Sequence, residues 1–444
     1  MLAPTGCGRA VSNFRYNRFA PASPILFALP GEATIAFTAE KRNRFLSEMR
    51  VLLNAVAAKM GGAANYIAAV ARELAKMNGH EFIFLVPKKM VPRIEGLAPH
   101  IRVIGTDIAY KPFLRRFWFD QVKLRRILRH EQVDVLFATA NFGTFFCPCR
   151  QILLVRNSLY FSRIYQSRMS HHRPWTMRTS DALRHWLVCR SMAAADLVMT
   201  PSRSMLEELR GCLSKRATVV NHYGVDQTRF ARGHRSFVSA GQVVLLFTSL
   251  YSEHKNLGTL LRAVLEMERS GVKCKLVSTA DPTWKLVHNS IRDTEIELAA
   301  ELGRLKAVEF VGLLGPGDID QLYKGADIFV YPSVVESFGH PLLEAMSAGL
   351  PIVAADVPIN RELCGDAALY FQPFDHSDCA RQISKVMQEG ALRAAMVKKG
   401  AERVNYFQWS RHVQTLMQAF NCAATLSEGY REIDSLHPYQ KRRS

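Results

Sequence analysis

The feature that most constrains the fold is an alternation of strand and helix signals that runs twice along the chain. Short apolar runs alternate with segments of helical periodicity, first from Met49 to about residue 230 and again from Gln242 onward. Strands joined by helices lie parallel and are buried on both faces. A polar, glycine-containing stretch at residues 231–241 separates the two series and is interpreted as a hinge. The pattern predicts an α/β chain with two doubly wound parallel-sheet domains.

The predicted elements follow from these runs. Helices are expected over residues 63–78, 257–269 and 340–348, where apolar residues recur every three or four positions. The predicted strands of the first series are 49–55, 82–86, 102–104, 134–137, 151–155 and 196–199, and those of the second are 242–247, 274–278, 308–311, 328–331 and 351–354.

The ends of the chain carry little periodicity. Residues 1–45 are interpreted as an N-terminal extension that is either disordered or a mis-called start, with Met49 as the alternative first residue. The predicted domains are 46–235 and 236–420, followed by a tail at 421–444. No run reaches the roughly 18 to 20 apolar residues of a membrane span, and residues 24–37 lack the pattern of a signal peptide. The prediction is a cytoplasmic protein.

The net charge of +19 belongs to one half of the chain. Residues 1–250 hold 36 Lys and Arg against 15 Asp and Glu, whereas residues 251–444 hold 22 against 24. Such a field favours an anionic partner, which leaves nucleic acid, an anionic membrane face and a phosphorylated substrate open.

Cysteine usage argues against a metal or disulfide framework. Of nine cysteines only Cys147 and Cys149 lie close together, and histidines at ligand spacing do not accompany them. The prediction is reduced thiols, no metal and no cofactor. The Asp318-Ile-Asp320 triplet resembles an Asp-x-Asp metal motif, but it stands at a predicted helix start, where acidic residues are usually caps.

The segment most suited to chemistry is Tyr331-Pro-Ser-Val-Val-Glu336-Ser-Phe-Gly-His-Pro-Leu-Leu-Glu344. A strand ends at Tyr331, and Gly339 permits a tight turn into a helix that carries Glu344. Free N–H groups at a helix start suit a phosphate, and carboxylates accept hydrogen bonds from sugar hydroxyls. The segment therefore fits a nucleotide-sugar. For two glutamates alone, a solvated loop and a surface charge remain the alternative.

With these residues in place the sequence resembles the retaining GT-B glycosyltransferases of family 4 (glycosyl transferases group 1). The Glu-x7-Glu signature matches at Glu336 and Glu344, together with its Phe-Gly, Pro and Glu-Ala-Met neighbours. The resemblance covers roughly residues 49–420, strongly in the second half and loosely in the first. Further matches are Phe310-Val-Gly312, Tyr323, Ala326-Asp327, Pro332-Ser333, residues 352–358, Glu362, residues 365–369 and Pro373.

The resemblance implies roles for residues of the second half. In this family the C-terminal domain holds a nucleoside diphosphate sugar, and the resemblance places Glu336 on the transferred sugar and Glu344 on the ribose. The backbone of Ser337, Phe338 and Gly339 is expected to face this donor. Lys255 corresponds to a basic residue on the diphosphate, and Asn256 is expected to cap the helix that follows. The family's arginine five residues before the lysine is replaced by Leu250.

The first half is expected to bind the acceptor. Gly61 and Gly62 stand where the family has a glycine loop near the donor phosphates. Arg156 and Asn157 replace a common His-Asp pair and are assigned to the phosphates or a charged acceptor. The resemblance thus implies a metal-independent hexosyltransferase that moves a sugar to a glycan or lipid-linked acceptor. The alternatives are a basic nucleic-acid-binding protein and another sugar-nucleotide enzyme of similar fold, such as an epimerase.

Residues 111–130 offer a last signal. If they form one helix, apolar and aromatic residues share a face and cations crowd the other. Such a helix either packs on a core or lies on an anionic membrane. We therefore expect a phosphorylated lipid carrier or an anionic membrane surface as partner, with a peripheral location at the inner face of the membrane, and no nucleic acid.

Overall fold

The computed structural model describes residues 48–59, 61–213, 216–230, 242–283 and 290–425. Within these ranges the paired strands form two separate sheets, and each pairing is parallel. The predicted architecture of two parallel-sheet α/β domains is therefore confirmed. The predicted N-terminal extension, the hinge at 231–241 and most of the tail at 421–444 lie outside the described residues.

The first domain is built on a seven-stranded sheet. Its strands are β1 (Met49–Asn54), β2 (His80–Pro87), β3 (Ile101–Thr106), β4 (Val135–Ala138), β5 (Arg150–Leu154), β6 (Leu197–Thr200) and β7 (Ala217–Val220). Its helices are α1 (Gly61–Leu74), α2 (Phe113–Trp118), α3 (Leu124–His130), α4 (Arg163–Arg168), α5 (Trp175–Ala194), α6 (Arg203–Leu209) and α7 (Gln227–Phe230). In the strand order β3-β2-β1-β4-β5-β6-β7, the chain places β2 and β3 on one side of β1 and then reverses to place β4 to β7 on the other side. Such a reversal leaves a crevice at the carboxyl ends of the strands.

The second domain repeats this plan with six strands. They are β8 (Val243–Phe247), β9 (Cys274–Ser278), β10 (Val308–Phe310), β11 (Ile328–Tyr331), β12 (Ile352–Ala355) and β13 (Ala368–Phe371), in the order β10-β9-β8-β11-β12-β13. The helices are α8 (Leu257–Arg269), α9 (Ser290–Arg304), α10 (Pro316–Gly325), α11 (His340–Ser347), α12 (Pro358–Cys364), α13 (His376–Gln388), α14 (Gly390–Val404) and α15 (Trp409–Thr425). The reversal here lies between β8 and β11, so their carboxyl ends define the second crevice.

The two strands that the sequence pattern did not predict, β7 and β13, are both edge strands. Each has four residues and pairs with one neighbour only. A short edge strand is not enclosed on both sides, so its residues need not form the long apolar run that marks a central strand. The central strands, buried along their length, were found within one or two residues of their ends.

The predicted helix over residues 111–130 is interrupted. A π-turn at Phe119–Lys123 separates α2 from α3 and rotates the faces of the two helices relative to each other. Leu124 and Leu128 on α3 are buried, as a core-packed helix requires, whereas Leu114 and Trp118 on α2 are 74% and 53% exposed. The expectation of one continuous apolar face is therefore wrong, because the extra residue of the π-turn breaks the periodicity. No helix in the described ranges is both long and apolar enough to cross a membrane.

The C-terminal helix α15 leaves the second domain and packs against α1, β4 and β5 of the first. It contributes to a cluster of rings between the domains, which we call the aromatic seam. The Tyr66 ring packs at a tilt against the Tyr223 ring, with ring centroids 4.8 Å apart, and the Tyr66 hydroxyl lies 3.2 Å from His412 Nε2. The seam thus fixes the domains through packed rings and buried hydrogen bonds. Its members are Tyr66, Tyr223, Phe338, His340, Trp409 and His412.

Polar contacts beside the seam join the carboxyl ends of the two sheets. Ser202, which follows β6, donates from its hydroxyl to the carbonyl of Ser337, which follows β11, at 2.8 Å. Glu362 of the second domain accepts hydrogen bonds from the backbone N–H groups of Arg203 and Ser204, both at 2.7 Å. A carboxylate at the first turn of α6 satisfies N–H groups that have no partner within the helix. The loops that follow the strands therefore meet across the domain interface.

Candidate functional site

A buried ion pair joins the loops after β8 and β11. The ammonium group of Lys255 donates to Glu336 Oε1, and both side chains are largely buried. The same oxygen accepts hydrogen bonds from the Tyr331 hydroxyl and the Ser333 hydroxyl, each at 2.7 Å. The structure thus brings together the two residues that the sequence assigned to the sugar and to the diphosphate. All three hydrogen bonds are made to Oε1, so they hold the carboxylate in one orientation.

The surroundings of Glu336 keep its carboxylate charged. Burial favours the neutral acid, but Lys255, His254 and the hydrogen bonds outweigh burial and lower the pKa of Glu336 to about 2. Burial, reinforced by the Lys255 charge, lowers the pKa of His254 to about 3, so this histidine is neutral near pH 7. Glu336 is therefore a fixed negative charge at neutral pH, held against the Lys255 side chain.

Glu344 lies on α11 and is half-buried. Its Oε2 accepts a hydrogen bond from the Tyr323 hydroxyl at 2.7 Å, and that hydroxyl lies 2.6 Å from Thr248 Oγ1 at the end of β8. Burial raises the pKa of Glu344 above its usual range, while Tyr323 and Arg229 oppose the shift. This carboxylate is oriented by a chain of two hydroxyls, of which Tyr323 was matched to the family without a role and Thr248 was not matched. A tyrosine in the preceding helix was the available signal.

The turn before α11 has the geometry that the motif predicted. Gly339 is the N-cap residue with φ of 97°, a conformation that favours glycine, and no side chain caps this helix start. Pro341 occupies its first turn. The Phe338 ring packs into the aromatic seam, 4.9 Å from Tyr223. The side chain of Phe338 therefore serves the domain interface, and only its backbone remains for a donor.

The start of α8 differs from the prediction. Asn256 adopts the left-handed conformation, and its side chain donates to the Pro332 carbonyl and accepts from the Thr259 hydroxyl, so it makes no side-chain cap. The N–H of Gly258 donates instead to the Glu295 carboxylate at 2.7 Å. Glu295 reaches this point from α9 and also accepts from the Tyr251 hydroxyl at 2.6 Å. Asn256 thus stabilises the loop after β11, and the Glu295 side chain occupies the start of α8.

Two pairs of predicted residues lie in the first domain. Gly61 opens α1 with a φ of 61°, and a Cβ added at Gly61 or Gly62 would have no neighbour within 4 Å, so the chain here borders open space. The Arg156 guanidinium lies 5.9 Å from the Tyr66 ring centroid. Burial lowers the pKa of His340, and the positive charge of Arg156 adds to this shift. Asn157 caps a short 3₁₀ turn by accepting from the Leu159 N–H at 3.1 Å. Arg156 therefore lies near the start of α11, whereas Asn157 has a structural task.

Two further sequence features take definite places. Leu250, which replaces the family's arginine, is 53% exposed. The Asp318-Ile-Asp320 triplet lies in the first turns of α10, and Asp320 pairs with Arg229 at 2.7 Å. In the described part of the chain these acids belong to no cluster of three ligating groups.

Two parallel-sheet α/β domains in this arrangement are the fold of the GT-B glycosyltransferases. The family model described as Glycosyl transferases group 1 matches residues 234–403, and the model described as Glycosyltransferase Family 4 matches residues 60–229. Together these two models span both domains. The chain belongs to the group 1 glycosyltransferases.

Individual relatives agree with this assignment. The chain is 29% identical over 189 residues to O-antigen chain mannosyltransferase B of Escherichia coli, covering 41% of this chain and 46% of the relative. It is 28% identical over 228 residues to D-inositol 3-phosphate glycosyltransferase of Nocardia farcinica, covering 49% and 50%. The chain thus spans about half the length of the curated relatives it matches. The crystal structure of Anabaena HepE in complex with UDP-glucose has the same fold, with a TM-score of 0.63, 17% identity and coverage of 84% and 100%.

The carboxylate at the start of α8 leads to a pH prediction. Burial raises the pKa of Glu295 to about 7, so the folded state retains its proton where the unfolded state has lost it. Stability should therefore fall as pH rises from about 4.5 to about 7, by at most about 3 kcal/mol from this group. Glu295→Gln should remove this dependence. The measurement is urea unfolding of wild type and variant between pH 4.5 and 8.

The control is Glu297→Gln, an exposed position on the same helix, which should follow wild type at every pH. If Glu295→Gln also parallels wild type across this range, the proposed titration at the start of α8 is wrong.

Proposed function

We propose that this chain transfers a hexose or deoxyhexose from a nucleoside diphosphate sugar to a glycan or lipid-linked acceptor, with retention of configuration. The observation that carries the proposal is the buried Lys255–Glu336 pair beside the uncapped, glycine-initiated start of α11, with Glu344 on that helix. A helix start suits a diphosphate, and oriented carboxylates suit sugar and ribose hydroxyls. The relatives named above are themselves described as glycosyltransferases, which supports the class of reaction.

In this mechanism Glu336 positions the transferred sugar. Its Oε1 is occupied by three donors from the protein, and Oε2 is assigned to a sugar hydroxyl. Glu344 uses Oε2 for Tyr323, which assigns its Oε1 to the ribose. The hydroxyl neighbours make both carboxylates rigid before the donor arrives. Carboxylates that are already oriented lose no further side-chain entropy when the donor binds.

The reaction breaks the bond between the anomeric carbon and the diphosphate oxygen and forms a bond to the acceptor oxygen on the same face. The acceptor proton passes to the departing diphosphate, so no separate base is required. Lys255 and the N–H groups at the start of α11 stabilise the negative charge that builds on the leaving group. Fixed donors of this kind typically contribute a factor of about 10² to 10³ each. The proposal requires no bound metal.

The second cation of the diphosphate site is assigned to Arg156. The arginine expected at position 250 is absent, and Leu250 cannot stabilise an anion. Arg156 follows β5 in the first domain, and its charge acts on His340 at the start of α11. A cation supplied across the interface would couple diphosphate binding to the closed arrangement of the two domains.

The surface of the first domain around α2 is assigned to contact with an anionic membrane that carries the acceptor. Leu114 and Trp118 are exposed on α2 among the exposed cations Lys111 and Arg115. An apolar stripe flanked by cations suits the interface of an anionic bilayer. α5 lies beside this surface, because its Arg184 contacts the Phe113 ring at 5.6 Å.

A donor screen tests the site. Thermal unfolding is measured with UDP-, GDP-, dTDP- and ADP-sugars, for wild type, Glu344→Ala and the exposed control Glu402→Ala. One nucleotide class should stabilise wild type and the control, by about 3 kcal/mol at a hundredfold excess over Kd. Glu344→Ala should respond at least about tenfold more weakly. If no nucleotide stabilises wild type, or Glu344→Ala responds equally, the donor site is wrongly assigned.

A second experiment tests the cation supplied by the first domain. Arg156→Ala should lower kcat with the identified donor by about 10² to 10³, because one fixed charge at the leaving group is lost. Leu250→Arg should restore part of this activity in the Arg156→Ala background, and should change wild type much less. Arg163→Ala, which removes a cation from the start of α4, is the control. Equal activity of Arg156→Ala and wild type contradicts the assignment.

Vesicle co-sedimentation tests the membrane partner. Lys111→Glu with Arg115→Glu should weaken binding to phosphatidylglycerol-containing vesicles by tenfold or more, since each cation contributes about 1 kcal/mol. Wild type should bind phosphatidylcholine vesicles poorly and release anionic ones as salt rises. Lys398→Glu with Lys399→Glu, on the second domain, is the matched control and should bind as wild type does. Indifference of wild type to lipid charge removes this partner.

A further inference from the structure

Three side chains with metal-ligating atoms converge outside the donor site. His185 and Cys189 belong to α5, and Cys212 lies in the turn after α6. His185 Nε2 is 3.5 Å from Cys189 Sγ and 3.8 Å from Cys212 Sγ, and the two sulfurs are 2.6 Å apart. Within the described ranges this is the one place where three or more His, Cys, Asp or Glu ligand atoms come together.

The fold builds this cluster from residues distant in sequence. His185 and Cys189 are four positions apart on α5 and therefore share one face of the helix. The hydrophobic core that packs α5 against α6, through Val188 and Leu209, carries Cys212 to the same point. Sequence spacing does not reveal this arrangement, because the two cysteines are 23 positions apart.

The imidazole is held in the form that a metal ligand needs. His185 Nδ1 lies 2.9 Å from the Tyr160 carbonyl oxygen, which can only accept a hydrogen bond. Nδ1 therefore carries the proton, and the lone pair of Nε2 points toward the sulfurs. Metal-bound histidines are commonly oriented by such a hydrogen bond from the second nitrogen to a carbonyl. The Phe161 ring, 4.8 Å from the imidazole centroid, also restricts the ring.

We propose that His185, Cys189 and Cys212 bind a divalent metal ion of the zinc class. Zinc lies about 2.3 Å from thiolate sulfur and about 2.0 to 2.1 Å from imidazole nitrogen, so a tetrahedral site has nitrogen–sulfur edges of about 3.5 Å and a sulfur–sulfur edge of about 3.8 Å. The nitrogen–sulfur distances of 3.5 and 3.8 Å lie within about 0.3 Å of this edge. The sulfurs separate by about 1 Å when the ion enters, through small rotations of the thiol side chains.

A disulfide between Cys189 and Cys212 is the competing chemistry. The sulfurs are close enough to approach bonding distance with little movement. A disulfide, however, makes no use of an imidazole lone pair directed at both sulfurs. Metal binding to cysteine displaces thiol protons, so it should weaken as pH falls.

The ion has a structural place in the first domain. It joins α5 to the turn after α6, and α6 is the helix whose first N–H groups contact Glu362 of the second domain. Three protein ligands also leave one tetrahedral position for water or a further ligand. Metal binding therefore stabilises the part of the first domain that faces the donor domain.

The test uses the full chain, purified in reducing buffer and stripped with a chelator. Titration with Co²⁺ as the probe should produce thiolate-to-cobalt charge-transfer absorption and the visible bands of tetrahedral cobalt, saturating near one ion per chain. Zn²⁺ should displace the cobalt and raise the unfolding temperature. Cys189→Ser, Cys212→Ser and His185→Ala should each weaken cobalt binding by at least about tenfold.

The matched control is Cys147→Ser with Cys149→Ser. These two thiols lie 3.8 Å apart but form part of no three-ligand group in the described chain, so their removal should leave the cobalt spectrum unchanged. Absence of charge-transfer bands in reduced wild type overturns the proposal. So does a Cys189–Cys212 disulfide in non-reducing peptide maps with no metal taken up after reduction. If a variant fails to fold, the wild-type titration and the effect of the chelator on its unfolding temperature decide.

Discussion

The candidate site of the second domain depends on a buried ion pair. Lys255 and Glu336 come from loops that follow different strands, and both lose most of their contact with water. Desolvating two charges costs several kcal/mol, and removing one partner of such a pair typically costs about 3 to 5 kcal/mol, so a buried pair is a poor device for stability alone. Here the Tyr331 and Ser333 hydroxyls complete the carboxylate's hydrogen bonds. The ion pair is therefore better explained as a fixed pattern of two opposite charges at the carboxyl ends of β8 and β11, oriented before a ligand binds.

The first domain helps to shape that pattern. Ser202 holds the carbonyl of Ser337, the residue directly after Glu336, and the next residue, Phe338, places its ring in the aromatic seam. The loop that bears the carboxylate is thus held from both domains, and Glu362 adds a second contact across the interface. Movement of one domain against the other would therefore alter the geometry around Glu336. Domain closure and site geometry are mechanically linked in this structure.

The local structure of the candidate site could be predicted from the sequence, because it is built within one short segment. Glu336, Gly339 and Glu344 lie within nine residues, and their helix and turn geometry follow from local rules. Prediction failed where a distant residue decides the outcome. Asn256 did not cap α8 because Glu295 arrives from another helix, and no spacing rule encodes that approach. The π-turn at Phe119–Lys123 was missed for a related reason, since it places Asp120 inside the domain as a partner for Asn54, 66 residues earlier.

The distribution of charge differs between the two domains. In the second domain, charged groups near the candidate site are compensated locally, as in the Lys255–Glu336 pair, and residues 251–444 are nearly neutral. In the first 250 residues, 36 cations face 15 acids, so ion pairing within that half cannot neutralise the surplus. The surplus produces a field that extends about a Debye length, roughly 8 Å at physiological salt. Because a diphosphate is bound at the interface, within reach of Arg156 in our proposal, the same field would attract both the donor and an anionic acceptor surface, and salt would weaken the two interactions together.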